Sequence, residues 1–203
     1  LIAERGGSLN GTTSSDRTNY FEVLPSSELE LALWLEADRM HALDVSAENF
    51  ENQRAVVKEE YRMRYQNAPY ALAALRLLEL VFASYPPYAN PTIGKIADLD
   101  GAALAWVKEF YDAHYAPNNA VLTIAGGFDP DRALALVERF FAAIPRRPVA
   151  PFPAPPPALE ARAAKETVED ANAKTPCLFY GWLIPPSHTP EHYALEVAAM
   201  LLG

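Results

Sequence analysis

The chain has 203 residues, half of them hydrophobic, with 21% charged, 11% aromatic, 26 acidic against 17 basic side chains and a net charge of −9. That composition suits a globular domain able to bury a core without staples, and a single cysteine, Cys177, excludes an internal disulfide framework. No dense Lys/Arg cluster is present to neutralise a phosphate backbone, and no apolar run reaches the roughly 18–20 residues of a bilayer span, so neither nucleic acid nor a membrane span is expected.

Residues 1–6 read as the tail of a helix stopped at Gly6-Gly7. Two strand candidates follow, Ser8 to Ser15 and Thr18 to Leu24, joined by a turn at Ser15-Asp16-Arg17. Ser27 and Glu30 have capping-box spacing and open a helix to about Leu43, with Leu29, Leu33, Ala37 and Met40 as its core face. Ser46 caps a longer helix reaching Gln66. Further helix over 70–82 gives way to a loop through Tyr85-Pro86-Pro87-Tyr88-Ala89-Asn90-Pro91. A helix over 101–114 leads into Ala120 to Ala125, a buried-strand pattern ended by Gly126-Gly127, after which Asp129 caps a helix with Pro130 in its first turn. Seven prolines between Pro145 and Pro157 read as an extended connector. Strand candidates near 160–169 and 177–184 and a helix from about 190, cut in mid-pattern at Gly203, complete the chain. The expected architecture is α+β, a mainly antiparallel sheet with helices packed on one face. Residues 1–145 form its first part, 146–158 a connector, and 159–203 the truncated start of a second part.

The informative segment runs from Phe50 to Met63. At helical spacing Gln53, Val56, Glu60 and Met63 share one stripe, with Phe50, Val57 and Tyr61 on the adjoining one. Glu60 therefore falls on a mostly apolar face, where a carboxylate needs a partner. Its neighbour Glu59 lies on a polar face, where a surface pair with Arg62 suffices. On pattern alone the partner of Glu60 is an Arg, a Lys or a helix end, with a metal ion the less common explanation.

The run Arg54-Ala-Val-Val-Lys-Glu-Glu60 resembles the helix that donates the third zinc ligand in pitrilysin/insulinase-type peptidases, the inverzincins. Gly6-Gly-Ser-Leu-Asn-Gly-Thr-Thr-Ser-Ser-Asp-Arg-Thr-Asn-Tyr20 resembles that family's glycine–asparagine edge hairpin. Leu33-Trp-Leu-Glu-Ala-Asp-Arg-Met40 is similar to the helix after it, and His114 to Gly127 to the strand entering the second half of the domain. The resemblance implies that Glu60 is a zinc ligand, with two histidines and a general-base glutamate on an H-x-x-E-H helix expected before Leu1. The family helix commonly carries an acid seven residues before the ligand, where this chain has Gln53. The resemblance also implies that Ser8, Leu9, Asn10, Gly11 and Thr12 pair with the backbone of an extended substrate, whereas the bland reading is a simple polar edge strand.

One literal match is a decoy. His188-Thr-Pro-Glu-His192 reads as H-x-x-E-H, but Pro190 fits the first turn of a helix capped by Thr189, which leaves His188 outside it. Cys177 reads as a buried structural thiol, His41 and His114 as structural, and Gly126-Gly127 as a plain strand-to-helix turn. What the resemblance implies as a whole is a zinc-dependent endopeptidase acting on short or unfolded peptides, with this segment inactive by itself and a second homologous half or subunit as partner. A non-catalytic scaffold or substrate-presenting subunit of the same family is the alternative. The compartment is left open, the bacterial periplasm being the place that composition and family variety suggest.

Overall fold

The N-terminal hairpin forms where the strand pattern puts it: β1 (Ser8–Thr13) runs antiparallel to β2 (Thr18–Val23), with Ser8 opposite Val23 and Thr13 opposite Thr18. This is a computed structural model, and it describes residues 1–149, 151, 159 and 162–202. Two glycines set the entry to the hairpin. Gly6 takes left-handed backbone (φ 75°) after a 3-10 turn at Ala3–Arg5. A Cβ on Gly7 would collide with Leu24 Cδ2 and come within 2.7 Å of the Val23 carbonyl oxygen, so the chain needs a residue without one.

The helices follow in order: α1 (Leu29–His41), α2 (Ala47–Tyr61), α3 (Ala71–Val81), α4 (Pro86–Ala89), α5 (Ile96–Gly101), α6 (Leu104–His114), α7 (Pro130–Phe141) and α8 (Pro190–Leu202). The capping box at Ser27 does not form. A 3-10 turn at Ser26–Glu28 precedes α1 instead, and no side chain caps that helix. Ser46 does cap α2, its Oγ accepting from Asn49 N–H (3.3 Å), and a π-type turn over Arg62–Gln66 extends that helix to the expected limit. The Pro86-Pro87 stretch is not all loop, because a proline at the first position starts the one-turn α4. Asp129 caps α7 as expected, Oδ1 accepting from Arg132 N–H at 2.8 Å.

The chain forms two compact units. The first comprises Leu1–Lys58 and Ile96–Pro153. It holds the buried apolar residues Ile2, Leu33, Ala37, Tyr111, Ala116, Ala133, Leu136 and Ile144. Leu33 and Ala37 sit one turn apart on α1, and Ala133 and Leu136 on α7, so the two helices meet through their small and apolar positions. α1 also touches the hairpin at β2: the Arg39 guanidinium stacks 4.3 Å from the centroid of the Tyr20 ring.

The second unit comprises Glu59–Lys95 and Ala154–Gly203. Tyr70 adopts left-handed backbone (φ 68°), and its N–H donates to Asp170 Oδ2 at 2.7 Å while its hydroxyl donates to the Thr175 carbonyl at 3.0 Å. Asn172 adds a bond from its Nδ2 to the Gln66 carbonyl (2.8 Å). Gly181 sits against α3, where a Cβ would lie 2.6 Å from Val81 Cγ2.

The architecture is α+β with antiparallel pairing, but among the described residues only β1 and β2 form a ladder. Residues 120–125, 162–169 and 177–184, expected as strands, run without ladder partners. Their β-branched and aromatic content favours extended backbone, while a strand in a sheet also requires a second backbone alongside it. The proline-rich connector read over 146–158 falls largely on residues 150 and 152–158, which lie outside those described, as do Glu160, Ala161 and Gly203.

Candidate functional site

Helix α2 carries the chain from the first unit into the second, and Glu60 lies in its last turn. The stripe expected to face inward does not. Val56 is 57% exposed, Met63 64%, and Gln53 is exposed as well. The adjoining stripe of Phe50, Arg54, Val57 and Tyr61 is half-buried instead. Arg54 shows why: its guanidinium stacks on the Phe50 ring (4.4 Å to the centroid) and donates to the Ala102 carbonyl (2.5 Å), which turns that side of α2 inward. Helical spacing resolves stripes, but it does not reveal which of two adjoining ones a long arginine will pull into contact.

Glu60 remains half-buried, and its carboxylate meets Arg64 Nη1 at 3.1 Å one turn along. The partner is thus an arginine, the commoner of the alternatives the pattern left open. Arg64 is itself 69% exposed, and a pair of that kind contributes only about 0–1 kcal/mol. Glu59 pairs with Arg62 (3.1 Å) on the polar face, as its spacing implied.

In the first unit, every residue of β1 is exposed. Ser8, Leu9, Asn10, Gly11 and Thr12 pair with β2 alone among the described residues, so the other edge of β1 is open there. Asn10 Oδ1 accepts from the Gly11 N–H (2.7 Å), which occupies one backbone donor of this segment locally. Behind the hairpin lies a cluster that sequence reasoning missed. Glu22 of β2, Glu36 and Arg39 of α1, and Tyr20, Tyr111 and Tyr115 come together there. The alternation of Tyr20 and Glu22 on one strand face, opposite the i, i+3 pair Glu36 and Arg39, was the available signal.

The decoy motif behaves as read. α8 begins at Pro190, Thr189 Oγ1 accepts from His192 N–H (3.3 Å), and His188 stands outside the helix with φ 69°. His192 faces the Pro185 carbonyl (3.0 Å) and Glu196 (3.3 Å) rather than a second imidazole. Cys177 differs from expectation: it is exposed, because residues 177–184 run without a ladder partner to cover them. His41 and His114 are exposed side chains in α1 and α6, and the His114 ring packs 4.5 Å from that of Phe110.

A family model described as the peptidase M16 inactive domain matches residues 104–203, the stretch from α6 through α8. The zinc protease PqqE of Helicobacter pylori is 27% identical over 207 residues, covering 100% of this chain and 46% of that protein. An uncharacterized zinc protease of Mycobacterium tuberculosis is 33% identical over 209 residues, covering 98% of this chain and 45% of its own length. The crystal structure of a protease from Helicobacter pylori superposes with a TM-score of 0.70 at 28% identity, over 76% of this chain and 37% of that one. The chain belongs to the M16 peptidase family, that of pitrilysin and insulinase.

This M16 chain spans about half the length of the curated relatives it matches. Those relatives are zinc proteases by name, so the fit of the metal to the residues present is a direct test. Among the described residues no group of three or more His, Cys, Asp or Glu side chains stands together to hold a metal ion. Glu60 offers one oxygen donor of a kind zinc accepts, and a tetrahedral set needs further donors. Among the described residues no helix is long and apolar enough to cross a membrane.

Proposed function

We propose that this M16 chain contributes one zinc ligand, Glu60, and one peptide-docking strand, Ser8 to Thr12, to a zinc-dependent endopeptidase that acts on short or unfolded peptides. The observation that carries the reading is the state of Glu60: a half-buried carboxylate beside exposed apolar side chains, paired with an exposed arginine on its own helix turn. Such a pair gives way to a cation at little cost. Zinc held by Glu60 together with two histidines from elsewhere in the full-length protein would lower the pKa of a bound water and polarise a carbonyl. This chain's own part is to supply the carboxylate and to align substrate. The open edge of β1 offers backbone N–H and C=O groups to an extended peptide, and polar, exposed side chains there do not obstruct it. Gln53 stands where the family helix commonly has an acid, and its amide keeps hydrogen-bonding capacity there without the charge. A second homologous half or subunit completes the enclosure.

The test is the full-length protein with Glu60→Gln. Zinc content measured by atomic absorption falls well below one per chain, and peptidase activity falls with it. Unchanged zinc removes Glu60 from the site.

The match of residues 104–203 to an inactive-domain model favours a second reading, a scaffold or substrate-presenting subunit of the same family. A wild-type full-length protein that takes up no zinc and cleaves no peptide, yet retains extended peptides, would establish it.

A further inference from the structure

The side of β2 that faces the helices carries two residues in alternation, Tyr20 and Glu22. The Glu22 side chain is only 10% exposed, that of Glu36 on α1 20%, and both address one guanidinium. Arg39 Nη2 lies 3.0 Å from Glu36 Oε1 and 3.8 Å from Glu22 Oε1, while Arg39 Nε donates to both oxygens of Glu36 (3.2 and 3.1 Å). Glu36 thus takes the fork of the guanidinium, and Glu22 is left with the longer contact to the same Nη2. Two carboxylates against one cation carry a surplus negative charge where little water reaches, and the arrangement is relieved when the pair holds a proton. Tyr20 lies beneath Arg39 (4.3 Å), and its hydroxyl bonds that of Tyr115. The Tyr111 hydroxyl donates to the Arg39 carbonyl (2.8 Å), and Arg147 lies over the Tyr111 ring (5.5 Å) while pairing with Asp112 (3.1 Å).

We propose that Glu22 and Glu36 share one proton and that this proton latches the β1–β2 hairpin onto α1, so that the hairpin is held firmly in mild acid and loosens as the solution turns alkaline. The latch rests on the hairpin's own contacts and is independent of what β1 binds. Burial first, then the hydrogen bond and charge of Glu36, push Glu22 up from 4.5 to about 7 against the opposing charge of Arg39. Burial acts to raise Glu36 as well, but its bonds to Glu22 and Arg39 outweigh this and hold it below the usual carboxylate range. The sign follows. Folded Glu22 keeps its proton between 4.5 and about 7, where the unfolded chain has lost it, so its contribution is complete below 4.5 and is lost as the pH climbs through about 7. Glu36 acts oppositely and only at lower pH, so it does not mask the loss.

Amide hydrogen exchange of residues 18–23 in the full-length protein, corrected for the intrinsic pH dependence of exchange, reads the latch directly. Between about pH 5 and about pH 8 the opening of the wild-type hairpin increases roughly tenfold or more. Glu22→Gln retains a hydrogen-bonding side chain without the titration, and its profile is flat, with protection at the alkaline end above wild type. Glu28→Gln, whose carboxylate pairs with Arg5 at 3.5 Å, keeps the wild-type slope. A flat wild-type profile, or a slope that survives in Glu22→Gln, overturns the proposal. Should Glu22→Gln not fold, carbon-detected NMR of the wild-type Glu22 carboxyl decides: a midpoint near 7 supports the latch and one near 4.5 removes it.

Discussion

The hydroxyl of Tyr20 lies 2.5 Å from that of Tyr115, and this single contact joins residues 95 positions apart in the chain. It fixes the helix-facing side of β2 to the residue that follows α6, beside the ring stack of Tyr115 on Tyr111 (5.1 Å between centroids). Tyr115→Phe removes one hydrogen bond while keeping the ring. The expected loss is about 1 kcal/mol in urea unfolding. Burial, then the bond to Tyr20, holds the Tyr115 phenol well above the ordinary tyrosine range, so phenolate absorbance should show this residue still protonated after exposed tyrosines have ionised.

Leu33, 3% exposed between α1 and α7, should lose about 2–5 kcal/mol on replacement by alanine, because the deleted methyls leave a cavity in a close-packed layer. Met63, 64% exposed beyond α2, should tolerate serine within about 0.5 kcal/mol. Urea melts check whether the Met63 stripe of α2 is core, with Leu33→Ala as the reference for a buried position. A costly Met63→Ser would restore the inward face that helical spacing suggested.

Gly7→Ala should destabilise the hairpin by about 1–3 kcal/mol, since its Cβ meets Leu24 and the Val23 carbonyl. Gly101→Ala, at the end of α5 with open space around it, should be neutral or stabilising by up to about 1 kcal/mol. Thermal unfolding of both variants tests the contrast.

Arg64→Gln deletes the ion-pair partner of Glu60 and should change stability by no more than about 1 kcal/mol, as an exposed i, i+4 pair allows. In the full-length protein it should leave zinc content intact or raise zinc affinity, measured by chelator competition. A loss of zinc comparable to that of Glu60→Gln would make Arg64 a positioning residue for the carboxylate instead.

What the sequence determined by itself was local. The hairpin, the Ser46 cap of α2, the Asp129–Pro130 start of α7 and the Thr189–Pro190 start of α8 each depend on residues within a few positions, and each is legible for that reason. The resemblance in the segments ending at Glu60, Tyr20 and Gly127 identified the family. Tertiary structure alone decided which face of α2 turns inward, since that choice belongs to Arg54 reaching the Ala102 carbonyl 48 residues away. It likewise decided the charge cluster of Glu22, Glu36 and Arg39, and which β-prone segments obtain a ladder, because pairing needs a backbone supplied from far along the chain. Local free-energy preferences can be read one window at a time. Contacts that close long loops cannot, and the burial that sets the charge of Glu22 exists only after they have closed.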